Sequence, residues 1–295
     1  MRIKAFHLED PVPELREPHV IAMLEPWIDA GNVGSMTLSW LEDEMDAYPL
    51  GELARPGSFY DLTRYRPMTY LDMGRRRLRM PNTRVSYSRR EEGPDLLFLR
   101  LLEPHMLGEY YVESVVSLLD QFNIRRFALI GSMYNFVPHT RPPLVSGSGA
   151  PEYIGRELSA LGISTNNYEG PTTICSLISQ QVEAWGGETM TLIVNLPQYT
   201  QLEDDFIGTL RLQSILSSMY GLTLPEDGIQ KAQAQQEQID EAVEGNPQVK
   251  EIIEHLERSF DGHSDPDADA EDEPEPLSTE VEDFLREMER KFRRE

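Results

Sequence analysis

Two prolines bracket a short polar group near the middle of this chain, Pro138-His139-Thr140-Arg141-Pro142. Arginine carries a planar fork that can clamp a carboxylate or phosphate through two parallel hydrogen bonds. A neighbouring histidine supplies a donor or an acid near neutral pH. The flanking prolines fix backbone φ and so stiffen the loop. One reading makes His139, Thr140 and Arg141 an anion or carboxylate pocket. The other makes them loop architecture, bonded to nearby carbonyls and acids. A second candidate lies upstream, at Asp29-Ala30-Gly31-Asn32-Val33-Gly34-Ser35. Gly31 and Gly34 allow close approach of backbone to a ligand, and the amides of a helix start can hold an anion. The alternative is a tight strand-to-helix turn with no ligand.

Other chemistries lack their residues. His7, His19, His105, His139, His255 and His263 form no HxH or HExxH spacing, so no metal site is expected. The single cysteine, Cys175, builds neither a disulfide framework nor a thiolate metal site. GNVG has too few glycines for a dinucleotide fingerprint and no P-loop lysine. Ser146-Gly147-Ser148-Gly149 reads as a flexible loop, not a nucleophile elbow. No catalytic residue and no cofactor are therefore expected.

The elements that must position these residues follow from pattern. Phe127 to Ile130 is a short apolar run closed by Gly131, as in a strand buried on both faces. The PHTRP loop follows it, and ligand sites in open α/β sheets gather at the carboxyl ends of strands. Val20–Leu24, Leu96–Leu102 and Thr191–Leu196 read the same way. Helical spacing joins Val33, Met36, Thr37, Trp40 and Leu41; then Tyr111, Val115, Leu118, Leu119 and Phe122. Further helices are expected over 152–161, over 174–185 and after Asp204-Asp205. Alternating strands and helices imply an α/β domain over 1–225, three-layer α/β/α, with a mainly parallel sheet. Phe59–Leu62, Met68–Leu71, Leu78–Met80 and Val85–Tyr87 read as an antiparallel excursion. Nine arginines there, between Arg64 and Arg90, face only Asp72. They read as a solvated outer face or as partners for acids elsewhere.

Beyond 225 the composition changes. Residues 226–260 read as a helical extension, broken at Gly245-Asn246-Pro247. Residues 261–276 carry eight acids and no base and read as a disordered acidic linker. Over 277–295, Val281, Phe284, Leu285, Met288 and Phe292 share one face of an amphipathic helix, either a partner contact or a cover for its own domain or a sister subunit. Residues 226–295 hold 23 acids against 8 bases. The chain's net charge of −24 argues against nucleic acid or an anionic membrane as partner. Lone cysteine, absent signal-peptide pattern and absent membrane-length apolar run point to the cytoplasm.

Several pieces then arrive in a specific order. They are Trp27-Ile28-Asp29-Ala30-Gly31-Asn32-Val33-Gly34, Phe59-Tyr60-Asp61-Leu62 with Arg66-Pro67, and Leu101-Leu102-Glu103-Pro104. Gly131 with the PHTRP loop follows, then Asn195-Leu196-Pro197-Gln198-Tyr199. Over residues 15–222 this set resembles the proteasome assembly chaperone 2 family, in its prokaryotic branch. Gln198 is a departure, since members often carry histidine before that tyrosine. The resemblance implies a fold similar to nucleoside phosphorylases and peptidyl-tRNA-hydrolase-like proteins. It also implies a homo-oligomer, trimer or higher, and proteasome or other protein subunits as partners. Some archaeal relatives dock through a C-terminal hydrophobic-tyrosine-any tripeptide. This chain ends Arg293-Arg294-Glu295, so docking by that route is not expected. The expected function is non-enzymatic and chaperone-like. The alternative is a small-ligand binder or a hydrolase- or phosphorylase-like enzyme using the strand-end pocket.

Overall fold

The computed structural model describes residues 1–165, 170–244 and 247–263. Its strands are β1 (Arg2–Ile3), β2 (Phe6–Leu8), β3 (His19–Glu25), β4 (Tyr48–Leu53), β5 (Met68–Asp72), β6 (Arg75–Arg79), β7 (Arg84–Ser88), β8 (Leu96–Leu102), β9 (Arg126–Asn135), β10 (Val145–Ala150), β11 (Ser164–Thr165) and β12 (Glu188–Pro197). Its helices are α1 (Val33–Glu44), α2 (Gly108–Gln121), α3 (Glu152–Ala160), α4 (Ile174–Ala184), α5 (Phe206–Tyr220), α6 (Glu226–Glu244) and α7 (Pro247–His263). The chain divides into two compact units. The first comprises Met1–Asp29, Gly34–Gly131 and Ser146–Leu192; the second comprises Ala30–Val33, Ser132–Val145 and the chain from Ile193 onward.

Ten of the strands form one sheet in the order β1-β2-β4-β7-β8-β3-β9-β12-β10-β11, most of whose residues belong to the first unit. The sheet is mixed. β3 runs parallel to β8 and to β9, and β10 parallel to β11, while β1, β2, β4, β7 and β8 pair antiparallel in turn. The period of two along β3 explains why its run is apolar throughout. Val20, Ala22 and Leu24 pack with Leu97, Leu99 and Leu101 of β8 against Val115, Leu118 and Leu119 of α2 and Ile178 and Val182 of α4. The intervening Ile21 and Met23 are equally buried. Over that other face lies α1, whose Ser35 hydroxyl reaches the Met23 sulfur and whose Ser39 and Glu42 hold Arg100. Helices thus cover both faces, giving the expected α/β/α layering. Cys175 is wholly buried in the α4 layer, and burial pushes its thiol up to about 12.

Two local expectations are corrected. Phe59–Leu62 is not a strand. The amides of Phe59 and Tyr60 both bond the Pro56 carbonyl, and Asp61 accepts from the Thr63 amide and hydroxyl, so the segment closes into local turns. Ser146-Gly147-Ser148-Gly149 is strand β10, not a loop. A Cβ on Gly147 would stand 2.4 Å from the Thr191 carbonyl oxygen, so the missing side chain is what lets the strand approach its neighbour.

In the second unit, Tyr199, Ile239 and Val243 form a core with Val249, Ile253 and Leu256 of α7. The last three stand at i, i+4 and i+7, one stripe of a helix. Burying each aliphatic side chain stabilises by about 1.5–3 kcal/mol, so this stripe, not surface charge, anchors α7. That helix extends to His263, three residues into the expected linker. The remaining linker residues and the face formed by Val281, Phe284, Leu285, Met288 and Phe292 lie outside the described residues.

Candidate functional site

The loop after β9 belongs to the second unit, and its three candidate side chains are already engaged. His139 is buried, its side chain 3% exposed. The Tyr199 hydroxyl oxygen accepts from the His139 backbone N–H at 2.7 Å. The same hydroxyl lies 2.6 Å from His139 Nδ1. Nε2 faces a carboxylate oxygen, Asp240 Oδ1, 3.2 Å away on α6, which can only accept. In the neutral ring Nε2 therefore carries the proton and Nδ1 accepts the phenol's hydrogen. Burial lowers the imidazole pKa, against the opposing pull of Asp240. Burial likewise raises the Tyr199 phenol.

Arg141 closes on α7. Its Nε and one terminal nitrogen meet the two oxygens of Asp261 at 3.0 and 2.7 Å, and its other terminal nitrogen meets Glu257 Oε1 at 3.0 Å. Thr140 donates its hydroxyl to the same Glu257 oxygen. Glu257 and Asp261 are four residues apart, hence on one face of the helix. Hydrogen bonding to Asp261 raises the guanidinium pKa, and hydrogen bonding to Arg141 lowers that of Asp261.

Gly31 and Asn32 also belong to the second unit. Gly31 is left-handed, φ +56°, and a Cβ there would fall 2.7 Å from Asp205 Cβ. Its carbonyl accepts from the Asp205 amide at 2.8 Å. Asp205 in turn caps α5, accepting from the Gly208 amide at 2.7 Å. Asn32 donates to the Glu203 carbonyl and the Asp204 carboxylate. The turn is thereby sewn to the start of α5. Asp205 and the PHTRP loop line one cavity of about 20 Å³ together with Asn195 and Ile239. Such a space admits about one water.

Asp29 and Gly34 belong to the first unit. The Asp29 carboxylate accepts from the Ser35 amide at 3.0 Å and from the Ser35 hydroxyl. A Cβ on Gly34 would stand 2.9 Å from an Asp29 oxygen. The Ser35 amide, in the first turn of α1, therefore already faces a carboxylate, and it is the chain's own.

Sequence reasoning did not find Tyr199 as the partner of His139, nor Asp240, Glu257 and Asp261. The tyrosine had one signal, its place at the end of Asn195-Leu196-Pro197-Gln198-Tyr199, and the two α7 acids had another, their spacing of four.

No curated protein matches the chain. In solved structures, a PAC2 family protein from Streptomyces avermitilis is 26% identical, with a TM-score of 0.71 over 80% of this chain and 99% of its own. A proteasome-assembly chaperone homologue from Mycobacterium tuberculosis is 24% identical, with a TM-score of 0.70 over 79% and 99%. PbaA of Pyrococcus furiosus, an archaeal homologue of proteasome-assembly chaperone, is 18% identical, with a TM-score of 0.55 over 86% and 99%. The last two establish a shared fold. The model of the PAC2 family matches residues 23–243, from the first buried strand through α6, and so takes in both turns and the tyrosine that holds the histidine. The chain belongs to the PAC2 family.

Proposed function

We propose that this protein is a non-enzymatic, chaperone-like interaction protein of the cytoplasm. It acts as a homo-oligomer, trimer or higher, on proteasome subunits or other protein subunits. Family membership supports the chaperone-like role. The observation that carries the non-enzymatic part is the closure of Arg141 on Glu257 and Asp261 of its own α7. An arginine recruited to clamp a substrate anion would have to break three hydrogen bonds first. His139 is engaged on both ring nitrogens, and the adjoining cavity is too small for a nucleoside or a small carboxylate. On this reading Asp29, Gly31, Asn32, Gly34, His139, Thr140 and Arg141 set backbone architecture. Val281, Phe284, Leu285, Met288 and Phe292 are the partner contacts. Among the described residues no helix is long and apolar enough to cross a membrane.

The test is co-elution and assembly. Purified proteasome α-type and β-type subunits from the same cell are mixed with the full chain, and complexes are followed by native mass spectrometry. A defined complex, and faster assembly of subunits into rings, are expected. No complex with any subunit, together with a rise in melting temperature on adding phosphate, nucleosides or small carboxylates at millimolar concentration, would favour the ligand-binding alternative.

A further inference from the structure

The first unit carries a second and larger cavity, of about 220 Å³, lined by Glu17, His19, Arg125, Arg126, Tyr153 and Glu188. It lies at the amino ends of the strands. His19 opens β3, Arg126 opens β9 directly opposite it, and Glu188 opens β12. An apolar cavity of about 150 Å³ is enough to admit benzene, so this space holds a small organic molecule.

Most of the charge around it is spent on architecture. Arg126 gives its Nε to Glu188 and both terminal nitrogens to Glu157. Glu188 is buried and accepts from Arg125, Arg126 and the Tyr153 hydroxyl. Arg125 is different. Its Nε is held by Glu188 at 3.2 Å, which fixes the guanidinium in place. One terminal nitrogen reaches Glu17 at 3.4 Å, longer than a good N–H···O bond. The other meets no partner among the described residues.

Glu17 is a weak keeper of that arginine. Its side chain is 71% exposed, and exposed ion pairs contribute little. Its backbone is left-handed, φ +42°, a conformation that costs energy in any residue with a Cβ. The local field favours an anion. Burial first, and then the charges of Arg126, Arg125 and Arg90, lower the His19 pKa against the opposing pull of Glu188. A fixed guanidinium with unspent terminal N–H groups takes the oxygens of a carboxylate or a phosphate.

We infer that this cavity is a binding site for a small organic anion, whose carboxylate or phosphate displaces Glu17 from Arg125. The site is independent of the docking role proposed above and of the PHTRP loop.

Titration calorimetry of the full chain with benzoate, succinate and inorganic phosphate tests it, together with NMR of the histidine rings. At least one probe should bind saturably at millimolar concentration. Phosphate binding more tightly than both carboxylates assigns the site to phosphate esters; the reverse order assigns it to carboxylates. Arg125→Gln should weaken binding about tenfold or more, the loss of a charge-assisted contact. Glu17→Gln removes the competing carboxylate and should tighten binding about threefold. Glu17 is exposed, so this variant decides the matter even if Arg125→Gln disturbs the Glu188 network. The His19 ring signal, assigned by its loss in His19→Gln, should move during the titration while that of His139 stays. Absence of saturable binding by all three probes overturns the site, as does binding that neither variant alters. Binding lost in Arg141→Gln but kept in Arg125→Gln also overturns it, and places the anion in the PHTRP loop instead.

Discussion

The Tyr199 hydroxyl serves His139 twice, accepting from its backbone amide at 2.7 Å and lying 2.6 Å from its ring Nδ1. One phenol thus fixes both the path of the loop and the tautomer of its histidine. Removing that oxygen leaves a buried amide and a buried ring nitrogen unsatisfied. Tyr199→Phe should therefore destabilise the protein by about 1–3 kcal/mol, the usual penalty for such an orphaned group. Urea unfolding measures it. An unchanged midpoint would show that the loop does not depend on this pair.

The clamp on Arg141 predicts a different signature. Glu257 and Asp261 hold an arginine near solvent, where ion pairs contribute little to global stability. The double variant Glu257→Gln/Asp261→Asn should leave the urea midpoint close to native. It should nonetheless speed hydrogen exchange of amides in the last turns of α7, because the pair fixes that end. Equal exchange in both proteins would contradict this.

Buried charge in the first unit behaves otherwise. Arg126 and Glu188, side chains 10% and 6% exposed, are 2.7 Å apart, and Glu157 takes the other two guanidinium nitrogens. Breaking a buried pair from one side typically costs about 3–5 kcal/mol. Glu188→Gln should fall near the lower end, about 3 kcal/mol, because Arg126 keeps Glu157. Glu152→Gln, which breaks the exposed pair with Arg156, serves as the control and should have no measurable effect.

His19, at the start of β3, gives the pH dependence. Burial first, and then the Arg126 charge, lower its pKa to about 4. The unfolded chain titrates near the ordinary histidine value of about 6.5. Between these values the unfolded state binds more protons, so stability falls as pH drops from about 6.5 to about 4. His139 works in the same direction, its pKa also lowered by burial. His19→Gln should flatten the loss over that range. An identical slope in native and variant proteins would remove His19 as a cause.

How much of this was legible in the sequence depends on the range of each contact. β3, β8, β9 and β12 were readable because strands buried on both faces must be apolar throughout. α2 and α5 were readable because one apolar stripe repeats. β10 was hidden, since its glycines matter for the carbonyls that approach them, which belong to another strand. Phe59 and Tyr60 misled because strand-forming side chains sat on a proline-initiated turn. β1 and β2 gave too few residues for a period, and β4 carries Pro49 and Gly51 within its run, which argue against a strand. At the candidate site, residue types marked the loop, while its partners lie 60 residues away for Tyr199 and 116 to 120 for the α7 acids. No local pattern encodes a pairing at that distance; only the docking of α7, through Val249, Ile253 and Leu256, creates it.

Cys175 is the chain's sole thiol, and it sits sealed in the α4 layer as a neutral group. Peroxide and alkylating reagents act on thiolate, so they find nothing to react with there while the fold is intact. Oxidants will instead meet sulfur first at Met73, exposed in the turn between β5 and β6, where a sulfoxide would turn an apolar knob into a polar one. The same sealing makes the protein a clean host for site-specific labels: a single cysteine engineered at any exposed position will be the one that reacts.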